Sequence, residues 1–102
     1  ALEKITKSLI SANSKNKKVI IFGNGGSAAI SSHVSVDLTK NARIRCINFN
    51  EADLLTCFSN DFGYEKVFSK SIEFYADKGD VVIIVSASGK SKNLLEAAKI
   101  CK

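Results

Sequence analysis

The stretch VIIFGNGGS, residues 19–27, joins a β-branched apolar run to a turn that contains three glycines. A continuous apolar run of this kind is typical of a strand that is buried on both faces of a parallel sheet. The stretch VIIVSASGKS, residues 82–91, repeats the order of apolar strand, small-residue loop and helix start. Ligands of open parallel sheets bind beyond the carboxyl ends of the strands, so we expect both loops at a ligand-binding edge.

Helical and strand patterns alternate along the rest of the chain. Apolar runs predict strands over residues 18–22, 43–49 and 81–85. Helical spacing predicts helices over 2–13 and 27–40, a short helix capped by Asn50, a helix over 64–75 after a turn at 60–63, and a closing helix over 91–101. Strands that alternate with helices imply right-handed crossovers and a parallel sheet with helices on both faces. We therefore predict an α/β three-layer sandwich of the flavodoxin-like, doubly wound kind, in one domain over residues 1–102.

The composition is that of a small globular domain, with 102 residues of which 45% are hydrophobic and 25% charged. No apolar run reaches the roughly 18 residues of a membrane-spanning helix, so we expect a cytoplasmic protein without a membrane partner. The net charge of +5 comes from scattered lysines, and no nucleic-acid motif accompanies them. We therefore expect no nucleic-acid partner, while the positive charge favours anionic small molecules such as sugar phosphates.

The three cysteines, Cys46, Cys57 and Cys101, are odd in number, far apart and in no CxxC pair. Such cysteines are expected to be reduced and mostly buried, as small hydrophobic side chains. A reduced state agrees with a cytoplasmic location.

The loop SASGKS, residues 86–91, has the chemistry of a phosphate-binding loop. Ser86, Ser88 and Ser91 offer hydroxyls, and Gly89 lets the backbone approach a ligand closely. Free amides and the dipole at the start of a helix both favour an anion. A helix capped by Ser91 after a flexible turn explains the same residues equally well. The loop matches neither GxxxxGKS/T nor GxGxxG, which disfavours a nucleotide.

The glycine turn after the first strand allows a similar pair of interpretations. Gly25 and Gly26 permit conformations and close approaches that side chains forbid, and Asn24 can offer its amide to a sugar hydroxyl. A tight strand-to-helix turn without a ligand is an equal alternative.

His33 and Asp37 are four residues apart on the predicted helix 27–40, which puts both on one face. An imidazole and a carboxylate at this spacing can share a divalent metal, or act as a base and its orienting partner. A surface hydrogen bond is the commoner arrangement and stays open as the alternative. His33 is the only histidine, so any remaining ligands do not include another histidine of this chain.

Four segments together resemble the sugar isomerase (SIS) domain and, within it, the phosphoheptose isomerase family. They are GNGGSAA at 23–29 followed by His33, NDFGYEKVF at 60–68, KGDVVIIVSASGKSKN at 78–93 and LLEAAK at 94–99, in the family's order and spacing. The resemblance covers residues 16–102. Its informative part is NDFG, because initiator-associating relatives without isomerase activity generally depart there.

The resemblance implies a role for each matching segment. Asn24, Gly25 and Gly26 would contact the substrate, and Asn60 and Asp61 would line the sugar pocket, with Asp61 among the catalytic residues. The phosphate would be held by the loop residues Ser86, Ala87, Ser88 and Ser91. His33 and Asp37 would be zinc ligands, and Asp37 would also be the catalytic proton-transfer base.

The chain departs from the family's pattern at three points. Asp37 stands where the family usually has glutamate, and the missing methylene can displace a base by roughly an ångström, enough to slow a reaction strongly. Ala87 stands where the phosphate loop often has threonine. The family's remaining glutamine and histidine lie on a C-terminal helix that residues 1–102 do not contain. We therefore expect a partial domain, inactive as an isolated segment.

The resemblance implies an enzyme that isomerises sedoheptulose 7-phosphate to D-glycero-D-manno-heptose 7-phosphate, for bacterial lipopolysaccharide or capsule synthesis. Moving a proton between C1 and C2 needs a base and a positive group near the oxygens. The family also implies a homotetramer, and Leu2, Ile5 and Leu9 form an apolar stripe that needs a partner surface in another subunit or on its own sheet. The alternative function is a non-catalytic SIS module that binds a phosphosugar or docks a protein partner.

Overall fold

Three parallel strands form the central sheet of the protein in a computed structural model, which describes residues 2–101. Strand β1 (Val19–Gly23) lies between β2 (Cys46–Asn48) and β3 (Val81–Val85). Val19 is in register with Cys46 on one side and with Val81 on the other, and both pairings are parallel. All five residues of β1 are buried. The predicted parallel α/β sheet is therefore confirmed.

Helices cover both faces of this sheet, as the sequence predicted. They are α1 (Leu2–Ser14), α2 (Gly26–Lys40), α3 (Ala52–Phe62), α4 (Val67–Tyr75) and α5 (Lys92–Ile100), with a single 3₁₀ turn at Tyr64–Lys66 between α3 and α4. Ile20 and Phe22 pack into a core with α4 and α5, where the ring of Phe22 stacks on that of Phe68 at 4.4 Å. Val19 and Ile21 face the opposite core, which α1 and α2 cover. None of the helices within residues 2–101 is long and apolar enough to cross a membrane.

Two predicted elements have different bounds in the structure. Strand β2 was expected from residue 43, but Arg43 has a φ of 59°, a left-handed conformation that an extended strand excludes. The turn expected at 60–63 is also wrong over most of its length, because α3 continues to Phe62 and ends at Gly63, whose φ is 89°. Asn60 and Asp61 therefore lie in the last turn of a helix.

The expectation that the cysteines are mostly buried is wrong for two of the three. Cys46 is buried in β2, and burial raises the pKa of its thiol. Cys57 and Cys101 are exposed, because the first lies on the outer side of α3 and the second just after the end of α5. All three are free thiols.

A charged cluster joins the starts of β1 and β3. The carboxylate of Asp80, which is 2% exposed, lies 2.7 Å from Lys18 Nζ and also accepts hydrogen bonds from the amides of Lys18 and Asp77. Burial opposes the charged form of Asp80, but these hydrogen bonds outweigh it and lower the pKa of Asp80 below its ordinary value. The cluster therefore holds the two strand starts together at the edge opposite the loops.

We expect Gly23→Ala to lower the free energy of unfolding by about 1–3 kcal/mol, because it overpacks the end of β1. A Cβ atom on Gly23 would lie 2.7 Å from the carbonyl oxygen of Val85 and 2.8 Å from Cβ of Ser27. Gly26→Ala is the matched control, since its added Cβ meets no heavy atom within 4 Å. Urea denaturation of both variants measures the difference. Equal stabilities would show that β1 and β3 separate easily at this end.

Candidate functional site

The carboxyl ends of the three strands bring two loops to one edge of the sheet. We call residues 23–26, from the last residue of β1 to the first of α2, the glycine turn, and residues 86–91, after β3, the serine loop. Because β1 pairs with β3 in parallel up to Gly23 and Val85, the two loops begin side by side. This is the edge at which open parallel sheets bind ligands. The structure thus brings together the two loops that the sequence singled out.

Side-chain amides extend the β1–β2 ladder beyond the end of β2. The Asn50 side chain donates to the carbonyl oxygen of Gly23 at 2.7 Å and accepts from its amide at 3.1 Å. Asn48 Nδ2 likewise donates to the carbonyl oxygen of Ile21 at 3.0 Å. The prediction that Asn50 caps the next helix is wrong, because its amide is engaged by Gly23. Glu51 caps α3 instead, its carboxylate accepting from the amide of Leu54 at 2.9 Å.

Asn24 of the glycine turn is bonded to two residues that sequence analysis missed. Its Nδ2 donates to Asn93 Oδ1 at 2.9 Å, and its Oδ1 accepts from Asn93 Nδ2 at 3.0 Å and from the Tyr64 hydroxyl at 2.9 Å. Asn93 is 2% exposed and shares the buried face of α5 with Leu94 and Ala97. A polar residue four positions before Ala97 on an apolar face was the signal available in the sequence.

Two serine hydroxyls of the serine loop accept hydrogen bonds from backbone amides of the same loop. Ser86 Oγ accepts from the amide of Gly89 at 2.8 Å, and Ser88 Oγ accepts from the amide of Lys90 at 3.1 Å. A hydroxyl that accepts one bond still has its own proton to donate, so both serines remain donors for a ligand. Ser91 occupies the N-cap position of α5, but its side chain makes no capping hydrogen bond. The interpretation of Ser91 as a side-chain cap is therefore wrong, and its hydroxyl is not used there.

His33 and Asp37 meet on the outer face of α2. Their Nε2 and Oδ2 atoms are 3.4 Å apart, and the side chains are 80% and 52% exposed. Because α2 begins at Gly26 and a helix rises 1.5 Å per residue, His33 lies about 10 Å along the helix from the glycine turn. Within residues 2–101, no group of three or more histidine, cysteine or acidic side chains is arranged to hold a metal. The pair thus stands apart from the loops and supplies two donors.

Asn60 and Asp61 lie at the end of α3, beside an aromatic cavity. Asn60 Nδ2 donates to Asp61 Oδ1 at 3.2 Å, and Cys57 Sγ lies 3.5 Å from Asp61 Oδ2. That hydrogen bond with Asp61 raises the pKa of the Cys57 thiol. The cavity beside Asp61 has a volume of about 460 Å³, and its other lining residues are Phe58, Phe62, Phe74 and Tyr75. The described hydrogen bonds of Asn60 and Asp61 do not join them to the glycine turn.

The parallel sheet is covered by helices and carries the glycine turn and the serine loop at the carboxyl ends of its strands. This arrangement places the chain among the doubly wound α/β proteins. A sequence model of one such family, the SIS domain, matches residues 1–102. The chain belongs to the SIS domain family, as the sequence motifs indicated.

Proteins named as phosphoheptose isomerases are among the relatives of this chain. That of Fusobacterium nucleatum is 36% identical over 105 residues, which cover 98% of this chain and 54% of the relative. That of Helicobacter hepaticus is 39% identical over 108 residues, covering 100% and 55% respectively. The solved phosphoheptose isomerase of Neisseria gonorrhoeae superposes with a TM-score of 0.86 at 31% identity, over 93% of this chain and 52% of that one. The chain spans about half the length of the relatives it matches.

We expect Asn50→Ala to destabilise the protein by about 1–3 kcal/mol, because the buried backbone groups of Gly23 lose their partner. Asn50→Asp keeps the acceptor but sets a carboxylate oxygen against the carbonyl oxygen of Gly23, so its loss should be at least as large. Asn41→Ala, at an exposed helix end, is the control and should change stability little. Thermal and urea unfolding measure the stabilities of the three variants. An unchanged Asn50→Ala protein would show that Gly23 is held by the β3 pairing alone.

Proposed function

We propose that the full-length protein is a phosphoheptose isomerase, which interconverts sedoheptulose 7-phosphate and D-glycero-D-manno-heptose 7-phosphate. The observation that carries the proposal is the match to phosphoheptose isomerases at 36% and 39% identity across nearly the whole chain. That match spans the glycine turn and the serine loop, which lie together at the ligand-binding edge of the sheet. Supply of heptose for lipopolysaccharide or capsule, in the cytoplasm, is the pathway and location that we propose with it.

The serine loop is the proposed site for the substrate's phosphate. The hydroxyl protons of Ser86 and Ser88 are free to donate, and the Ser91 hydroxyl is not used as a cap. The first amides of α5 have no acceptor within the helix, and the positive end of its dipole faces the loop. Ala87 contributes backbone only. A phosphate is therefore favoured by hydroxyl donors, amides and dipole together.

The proposed chemistry lies at the other end of the substrate. Carbons C1 and C2 of a heptulose 7-phosphate are at the far end of the sugar from its phosphate, so the base is expected away from the serine loop. Asp37 is the proposed base, which takes a proton from one carbon and returns it to the other. Gly25, Gly26 and Asn24 are proposed to contact the sugar between the two ends, and Asn60 and Asp61 to line its pocket, with Asp61 as a second catalytic residue.

The His33 and Asp37 side chains on α2 are spaced as two ligands of one zinc ion would be. Zinc bonds of about 2.0–2.2 Å at a tetrahedral angle place two donor atoms about 3.3–3.6 Å apart, and His33 Nε2 lies 3.4 Å from Asp37 Oδ2. When bound, the metal would supply positive charge near the substrate's oxygens. We therefore propose His33 and Asp37 as zinc ligands, and a four-coordinate site would need donors besides these two.

A homotetramer is proposed because α1 leaves part of its apolar stripe uncovered. Leu9 packs against the core beneath α1, but Leu2 is 80% exposed and Ile5 is 50% exposed. Packing of the stripe on its own sheet therefore accounts for Leu9 only. Exposed apolar side chains in a row are typical of a surface that meets a partner.

The alternative proposal is an SIS module that binds a phosphosugar or docks a protein without turnover. The observation that favours it is the number of metal donors, since the described residues bring together only His33 and Asp37. Turnover of sedoheptulose 7-phosphate by the full-length protein distinguishes the two functions. Tight binding without turnover would support the module.

We expect the double substitution Ser88→Ala and Ser91→Ala to weaken sugar-phosphate binding by roughly 1–3 kcal/mol, because each hydroxyl bonds a charged group. Isothermal calorimetry on the full-length protein measures the affinity. Ser8→Ala, an exposed serine of α1, is the control and should leave it unchanged. Unchanged affinity in the double variant would remove the serine loop from the site.

We expect Asp37→Asn to abolish isomerisation in the full-length enzyme while inorganic phosphate binds nearly as before, because an amide cannot accept the proton. Asp37→Glu restores the longer side chain usual in the family and should keep or raise activity. Glu73→Gln, an exposed acid of α4, is the control. Sedoheptulose 7-phosphate turnover is assayed for each. Full activity in Asp37→Asn would place the base elsewhere.

A further inference from the structure

We propose that Asn93 and Tyr64 are positioning residues that orient Asn24 toward the sugar. The proposal rests on the proposed function, in which the glycine turn and the serine loop bind one sugar phosphate. Asn24 and Asn93 exchange two hydrogen bonds of 2.9 and 3.0 Å, and the Tyr64 hydroxyl donates a third of 2.9 Å to Asn24. We call these three residues the amide unit.

The amide unit leaves Asn24 with one kind of free group. A primary amide has two acceptor positions on its oxygen and two N–H donors. Asn24 Oδ1 accepts from both Asn93 and Tyr64, and one proton of Nδ2 is donated to Asn93. The group that remains free is one N–H of Nδ2. In this orientation Asn24 can therefore donate a hydrogen bond to an oxygen atom of a ligand. Without the unit, the amide is free to rotate and to present its oxygen instead.

The amide unit is anchored on the buried side. Asn93 is 2% exposed and packs in α5 beside Leu94, so its side chain has little freedom. Hydrogen bonds in such surroundings are stronger than in water, and a lost partner leaves a costly unpaired group. The 3₁₀ turn that carries Tyr64 is tied to the same helix by an ion pair of 2.8 Å between Lys66 and Glu96. Asn24 is thus held from two directions.

The unit also connects three segments that the proposed function assigns to the substrate. Asn24 belongs to the glycine turn, Asn93 follows the serine loop by two residues, and Tyr64 directly follows the NDFG segment. If the unit only stabilised the fold, its loss would lower stability without altering the preference between ligands. If it orients Asn24, its loss must weaken binding of the sugar part while phosphate alone is bound as before.

The test compares Tyr64→Phe and Asn93→Ala in the full-length protein with the control Ser8→Ala, which removes an exposed hydroxyl from α1. Calorimetry gives the affinities for inorganic phosphate and for sedoheptulose 7-phosphate, and kcat/KM is measured in parallel. Because Asn93 is buried, its alanine variant can lose stability as a whole. Tyr64→Phe removes only an exposed hydroxyl and keeps the test independent of folding.

We expect sugar-phosphate affinity and kcat/KM to fall about 3- to 10-fold in Tyr64→Phe and about 5- to 100-fold in Asn93→Ala. Affinity for inorganic phosphate should stay within about 2-fold, and Ser8→Ala should match the unaltered protein. Equal losses for both ligands, or no loss in Tyr64→Phe, would overturn the positioning role.

A double-mutant cycle tests whether Asn24 and Asn93 act as a unit. The double variant Asn24→Ala, Asn93→Ala should lose no more than about 2-fold beyond the larger single loss, whereas multiplied losses would overturn the proposal. If the unaltered protein neither binds nor converts sedoheptulose 7-phosphate, the proposed function itself fails. Hydrogen exchange at residues 24–29 then still tests whether the Tyr64 hydroxyl holds the glycine turn. Exchange should be faster in Tyr64→Phe than in the unaltered protein, and equal rates would overturn the proposed contact.

Discussion

The parallel pairing of β1 with a strand on each side is the constraint on which the rest of the structure depends. All five residues of β1 are buried, and alternate side chains face the two helical layers. Parallel neighbours end at the same edge of a sheet, so the glycine turn and the serine loop are brought together there. The close approach of Gly23 to Val85 excludes a Cβ atom, which explains why this strand ends in glycine.

Side-chain amides hold this edge where the backbone ladder ends. Asn50 makes two hydrogen bonds with Gly23, and Asn24 makes two with Asn93. An amide side chain both donates and accepts, so it can replace a neighbouring strand's backbone. The glycine turn is conformationally free by composition, and these bonds give it a fixed orientation. Preorganised groups of this kind lose less conformational entropy when a ligand binds.

The proposed active site is extended along the surface of the domain. The serine loop lies at the start of α5, and His33 lies about 10 Å along α2 from the glycine turn. Such a distribution suits a ligand with its phosphate at one end and its reacting carbons at the other. The two side chains proposed as zinc ligands, His33 and Asp37, lie on α2 with Nε2 and Oδ2 3.4 Å apart.

The three strands, the parallel sheet, the family and the two loops could be predicted from the sequence, because the period of the apolar residues, the glycines and the spacing of the motifs are local signals. The hydrogen-bond partners of the polar side chains could not, because they depend on how distant segments pack. Asn50 bonds to Gly23, 27 residues away, rather than to its own helix, and Asn93 bonds to Asn24 across 69 residues. The exposure of Cys57 likewise follows from which face of α3 meets the sheet, and Cys101 is exposed because it lies after the end of α5. Amide and thiol side chains follow no periodic pattern along the chain, so their contacts cannot be predicted from local sequence. These contacts are set by packing between segments that are distant in sequence.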